Sequence, residues 1–155
     1  ATRKRVIEEV QDKHHSDDDE MRVIEYEPKS DTDDRQTLKY HKGTPMIARK
    51  SFHSDDIRVA KNEMWMVTNL EPLILAKSDD GEETDCKIEI DEDILFKNFL
   101  SGYCITIHKA QGETYDRKYC IHDWNKIDRS RIARKLRYTA ISRSKNPEKN
   151  ISFRV

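Results

Sequence analysis

Between Pro45 and Ile90 the chain breaks into short apolar runs separated by tight polar turns. PMIARK, EMWMVTNLE and PLILAKS are too short for globular helices and carry the apolar alternation of half-buried strands. SDDGEE contributes Asp80-Gly81, a pair that closes two-residue hairpins because both positions tolerate positive φ, and TDCKIEI returns as the partner strand. This spacing predicts a small β barrel or meander that ends near IDEDILFKNF.

Helical and strand signals flank that middle. Val6, Ile7 and Val10 recur at helical spacing within residues 2–14, and MRVIEYE at 21–27 alternates as a short strand. SDDDE at 16–20 is read as a loop, and PKSDTDDRQTLKYHKG as an exposed connection without an apolar period. Further on, GYCITI reads as a strand, HKAQGE as a turn or short helix, and RKYCIHDW as a second strand. Asp128 or Ser130 can cap a helix through RSRIARKLRYTAIS, with Ile132, Leu136 and Ala140 on one face, and NISFRV closes as a strand. The pattern predicts an α/β domain interrupted by a β module, and 155 residues suffice for one such domain.

Composition excludes several classes. No apolar run approaches the roughly 20 residues that span a bilayer, and ATRKRVIEEV lacks the apolar centre of a secretory signal. Cys86, Cys104 and Cys120 stand far apart with no CxxC pair, which predicts buried, reduced thiols in an intracellular compartment, nucleus or cytoplasm, and no zinc cluster. His14-His15 is read as a solvated helix end. The net charge of −1 conceals a division: residues 1–101 carry 16 Lys+Arg against 25 Asp+Glu, residues 102–155 carry 13 against 5. A basic half of that size suits polyanion contact, and equally a segregated solvated surface.

The chemistry concentrates in GYCITIHKAQGETYD, 102–116. Thr106, His108, Lys109 and Gln111 bring hydroxyl, imidazole, ammonium and amide to one corner, all groups that bind phosphate or sugar oxygens. Gly112 lets backbone approach a ligand, and Glu113 adds an acceptor suited to a ribose hydroxyl or an ordered water. Taken singly, His108 is equally a structural histidine and Gly112 a turn glycine. A second stretch, LRYTAISRSK at 136–145, ends a helix on Arg143.

These two stretches, in this order, resemble motifs V and VI of superfamily 1 helicases. Thr106, His108, Lys109, Gln111, Gly112, Thr114 and Asp116 fit the first pattern, T-x-H-K-x-Q-G-x-T-x-D; Tyr138, Ala140, Ser142 and Arg143 fit the second, Y-x-A-x-[ST]-R. ATRKRVIEEV is similar to the tail of motif IV. Asn62-Glu63 stands where the RecD-like and Dda-like branch turns into a β insertion, although the glycine of that turn is missing. The resemblance implies a second RecA-like motor domain at 1–62 and 98–155, with an SH3-like β module at 63–97.

It also implies roles. Arg143 would be the arginine finger, reaching the γ-phosphate of ATP held by another lobe; such a cation is worth roughly 10³–10⁵ in rate. Gly112, Glu113 and Gln111 would line the nucleotide, with Mg²⁺ held mainly by an N-terminal RecA-like domain. Thr106, His108 and Lys109 would touch single-stranded nucleic acid, DNA ahead of RNA, and a non-catalytic docking module is the remaining alternative. Trp65 is either core or a base-stacking platform, Tyr138 a packing residue, and the Arg129, Arg131, Arg134, Lys135 and Arg137 cluster either grips phosphates or serves solubility. No G-x-x-x-x-G-K-[ST] loop occurs, since the glycines are Gly43, Gly81, Gly102 and Gly112, so the chain alone is expected to be inactive as an ATPase. The lysine- and aspartate-rich composition suits a viral replication protein or an AT-rich genome.

Overall fold

A computed structural model of the chain describes residues 2–13, 20–127 and 131–155. SDDDE up to Asp19, His14-His15 and the two proposed cap residues Asp128 and Ser130 lie outside the described residues. Two compact units emerge, one of residues 4–104 and one of 105–155 with the first three residues.

The larger unit is built on a five-stranded antiparallel sheet. Its strands are β3 (Pro45–Ala48), β6 (Met64–Leu70), β7 (Leu73–Asp79), β8 (Glu82–Glu89) and β9 (Phe99–Ser101), in the order β8-β7-β6-β3-β9, while β4 (Phe52–Ser54) and β5 (Ile57–Val59) pair antiparallel as a separate hairpin. Asp80 and Gly81, at φ 47 and 88, form the two-residue hairpin turn between β7 and β8. Alternation along β6 buries Trp65 and Val67, which join Met46, Leu75, Leu95 and Phe99 in the core. Trp65 is therefore core. α2 (Glu92–Asn98) follows β8 and starts where Asp91 Oδ1 accepts the Ile94 amide at 2.7 Å. Outward-facing Glu83, Asp85, Lys87 and Glu89 line the edge strand β8.

The left-handed position in the turn before β6 is taken by Asn62, at φ 72. Its amide donates to the Ala48 carbonyl at 2.8 Å, and Glu63 Oε2 accepts from the Ala60 amide at 3.0 Å. Asparagine tolerates this conformation, so the missing glycine leaves the turn intact.

Three readings of this unit need correction. The segment 28–43 is more than a connection: β2 (Leu38–Tyr40) pairs antiparallel with β1 (Arg22–Ile24) and buries Leu38 and Tyr40. Tyr40 lies at i+2 from Leu38, a single alternation too brief to register as a period. GYCITI is not a strand; pairing stops at β9, and the Gly102 amide donates to the Pro45 carbonyl at 2.8 Å. A Cβ on Gly102 would lie 2.9–3.1 Å from Met64 Cε, Pro45 C and Met46 N, so only glycine fits there. Cys86 and Cys104 here, like Cys120 in the smaller unit, form no disulfide and are half-buried, not buried.

Helix α1 (Thr2–Lys13) buries Val6, Ile7 and Gln11, and Gln11 Oε1 accepts the Lys39 amide at 3.2 Å. Nearby, Tyr26 and Arg35 converge on Asp33: Arg35 Nε donates to Oδ1 at 3.1 Å, and the Tyr26 hydroxyl donates to Oδ2. The Arg35 guanidinium beside Asp33, helped by the Tyr26 hydroxyl, holds that carboxyl well below the usual carboxylate range.

In the smaller unit β10 (Tyr119–Ile121) pairs parallel with β11 (Ile151–Phe153), and α3 (Arg131–Ser142) makes the crossover that a parallel pair requires. Ala133 and Ala140 are its buried residues, whereas Ile132 is 73% exposed. Ala140 is on the packed side as predicted, but Ala133 replaces Ile132 there, because Arg137 takes the position between the alanines. Its guanidinium stacks 4.9 Å from the Trp124 ring centroid and donates to the Ile127 carbonyl at 2.7 Å. Arg137 is thus a structural cation.

Candidate nucleotide and nucleic-acid site

Residues 106–113 form a compact turn held by its own backbone. The Ala110 amide donates to the Thr106 carbonyl at 3.2 Å, Gln111 to His108 at 3.3 Å, and Glu113 to Ala110 at 3.2 Å. Thr106 Oγ1 accepts the Lys109 amide at 3.3 Å, so one lone pair of this hydroxyl secures the turn. Thr106, His108, Gln111 and Glu113 are exposed and Lys109 is half-exposed. Gly112, at φ +89, ends the turn with nothing within 4 Å of the space a Cβ would occupy. The result is bare backbone flanked by polar side chains, room into which a sugar or phosphate oxygen fits.

Two backbone bonds join this turn to the end of α3. The Tyr115 amide donates to the Arg143 carbonyl at 2.6 Å, and the Lys145 amide donates to the Tyr115 carbonyl at 2.9 Å, forming a parallel bridge between Tyr115 and Ser144. Asn150 Nδ2 reaches the Asp116 carbonyl at 2.8 Å, and Lys145 Nζ lies 3.8 Å from Asp116 Oδ2. All seven predicted site residues therefore belong to one unit, with 106–113 and Arg143 tied together.

Arg143 is half-buried by its stem. Nε donates to the Thr139 carbonyl at 3.4 Å, and Nη1 donates to the Glu113 carbonyl at 3.3 Å in an exposed setting. A guanidinium carries five N–H donors, so two carbonyls fix its direction without exhausting it. Behind it, the Tyr119 hydroxyl donates to the Ala140 carbonyl at 2.7 Å; burial pushes this phenol up, against the opposing pull of Arg143. The arrangement offers a fixed cation beside an open glycine turn, a combination suited to a polyphosphate.

Sequence reasoning missed Tyr115, Thr139 and Ser144, which act through backbone atoms and leave no side-chain signature. Tyr138 is 74% exposed rather than packed, since it falls on the face of α3 opposite Ala133 and Ala140. Arg129 lies outside the described residues. Among the described residues no cluster of three His, Cys, Asp or Glu could hold a metal ion. No helix among them is long and apolar enough to cross a membrane.

Solved structures supply the comparison that decides the fold. A complex of two coordinating Pif1 helicases unwinding forked duplex DNA matches 97% of this chain with 37% of its own, at TM-score 0.59 and 22% identity. Bacteroides Pif1 bound to single-stranded DNA matches 97% of this chain and 38% of its own, at 0.58 and 19%. Candida albicans Pif1 matches 98% and 42%, at 0.60 and 15%. The fold is that of a Pif1 helicase segment. The chain spans about two-fifths of the Pif1 helicases it matches. Its mixed α/β architecture, rich in antiparallel sheet, corresponds to the RecA-like helicase region of the Pif1 proteins, as the resemblance to superfamily 1 helicases implies. No family model and no curated protein matches the sequence.

Proposed function

We propose that the chain is the second motor lobe of an ATP-dependent superfamily 1 DNA helicase, acting inside the cell. In this reading Arg143 is the arginine finger, Gly112, Glu113 and Gln111 face the nucleotide, and Thr106, His108 and Lys109 hold the single strand. Residues 63–97, which include β6, β7, β8 and all of α2 but its last residue, serve as the inserted β module. One observation carries the proposal: the Arg143 guanidinium is directed by the Glu113 carbonyl at the end of the 106–113 turn. A group that must meet a transferring phosphate needs a fixed direction and spare donors. Bacteroides Pif1 solved with ADP-AlF3 and single-stranded DNA, alike in fold at TM-score 0.58, supports ATP as the nucleotide and DNA as the strand.

The finger acts on a triphosphate bound by a separate lobe that carries the P-loop and holds Mg²⁺. This lobe contributes the cation and part of the strand track, so each closure of the cleft couples the turn at 106–113 to the phosphate. The test joins the chain to its P-loop lobe and compares Arg143→Ala with the parent. ATP turnover falls by 10³ or more while affinity for a single strand stays within threefold. Unchanged turnover rejects the finger, and preferential unwinding of RNA duplexes over DNA duplexes replaces DNA with RNA as the substrate.

A further inference from the structure

The outward face of α3 has an organisation that the site above leaves unused. Arg131, Arg134, Lys135 and Tyr138 follow one another at i, i+3, i+4 and i+7, so they share a side of the helix, opposite Ala133 and Ala140. All four are exposed, Tyr138 at 74%. Arg131, Arg134 and Lys135 meet no carboxylate among the described residues, and the helix contains no acidic residue of its own.

Solubility alone does not account for this pattern. Arg131 opposes Arg134 and Lys135 at the two spacings where like charges repel, and Arg131 stands in the first turn, where the helix dipole disfavours cations. An exposed helix built for solvation gains more from alternating signs. The arrangement is unfavourable until an anion arrives. Arg137, by contrast, is turned onto Trp124 and the Ile127 carbonyl, so the outward row is a selected subset of the basic cluster.

We propose that this face is a second contact site for single-stranded nucleic acid, separate from the turn at 106–113. From Arg131 to Tyr138 the row rises about 10 Å at 1.5 Å per residue, long enough for its three cations to meet more than one phosphate of a strand. The phenol ring among the cations selects a single strand over a duplex, because an exposed aromatic face stacks on a base only where bases are unpaired. The site stands independently of Arg143 and of any nucleotide.

Fluorescence anisotropy of a labelled 20-residue oligo-dT, titrated with the chain from 50 to 300 mM KCl, tests this. The variant R131Q/R134Q/K135Q retains helix propensity, and circular dichroism with thermal melting confirms that it is folded. It is expected to bind at least tenfold more weakly at 50 mM, with the slope of log K against log salt flatter by about 2, at ~0.7 per phosphate released. Tyr138→Ala is expected to weaken binding several-fold without changing the slope. T106A/H108A separates the two sites: loss in that variant alone, with the triple variant unchanged in affinity and slope, overturns the α3 site and leaves the turn. Loss in the triple variant alone supports the α3 site and rejects the turn as a strand contact. A triple variant that loses only duplex affinity overturns the single-strand assignment. One that keeps oligo-dT but loses poly-glutamate makes the face a protein-docking surface instead.

Discussion

Arg143 and Glu113 meet across 30 residues of sequence, with the guanidinium Nη1 donating to the Glu113 carbonyl at 3.3 Å. The bond joins a side chain proposed to act on phosphate to the backbone of the turn proposed to hold a strand. Exposed hydrogen bonds of this kind contribute about 0.5–1.5 kcal/mol each. Arg143→Ala is therefore expected to lower unfolding stability by about 1–3 kcal/mol for the two bonds, measured by urea denaturation. A loss well above that would mean that the residue holds the unit together and that any effect on turnover is indirect.

Gly102 and Gly112 make opposite predictions about steric room. Alanine at 102 meets backbone atoms of Pro45 and Met46 at 3.0 and 3.1 Å, which cannot yield as the Met64 methyl can. Gly102→Ala is expected to destabilise by about 1–3 kcal/mol through overpacking, and Met64→Ala in the same chain is expected to recover only part of it. Gly112→Ala meets no neighbour and faces only its φ of +89, for about 1–2 kcal/mol. Calorimetric melting of the three variants checks the order.

Trp65 is fully buried, so no strand can stack on it. In a Trp124→Phe background, the remaining Trp65 emission is expected to be unchanged by saturating oligonucleotide. Trp65→Ala is expected to cost about 3–5 kcal/mol of stability. Quenching by the strand would place Trp65 in a binding surface after all.

Acid sensitivity follows from Asp33. Its carboxyl titrates below the unfolded value of about 3.9, because Arg35 and Tyr26 donate to it. The contribution is present above about pH 4 and disappears as pH falls through the lower folded value. Asp33→Asn is expected to lower stability at pH 7 and to flatten the decline between pH 5 and roughly 2, read from urea midpoints across that range. A parallel decline in both proteins would exclude Asp33 as the source.

Much of this architecture is legible in the sequence. The Asp80-Gly81 hairpin, α1, α3 and the closing strand follow from turn chemistry and periodicity, which are local properties. Leu38 and Tyr40 escaped notice because three residues of strand carry almost no period. Ile132 misled for another reason: the apolar spacing of Ile132, Leu136 and Ala140 is helical, but the aromatic ring of Trp124 draws Arg137 to the packed side. In the site, side-chain chemistry marked Thr106, His108, Gly112 and Arg143. The parallel bridge of Tyr115 with Ser144 depends on amides and carbonyls that every sequence possesses.

The charged rim along β8 bears on how this chain behaves when crowded. A bare sheet margin invites a neighbouring polypeptide to add itself as another strand; Lys87 pairs with Glu83 at 2.9 Å, and Asp85 and Glu89 leave a surplus of negative charge that makes such an approach electrostatically unfavourable between identical copies. Protection against self-templated growth is thus built into the same hairpin that completes the sheet, at the expense of a few carboxylates that contribute nothing to its interior.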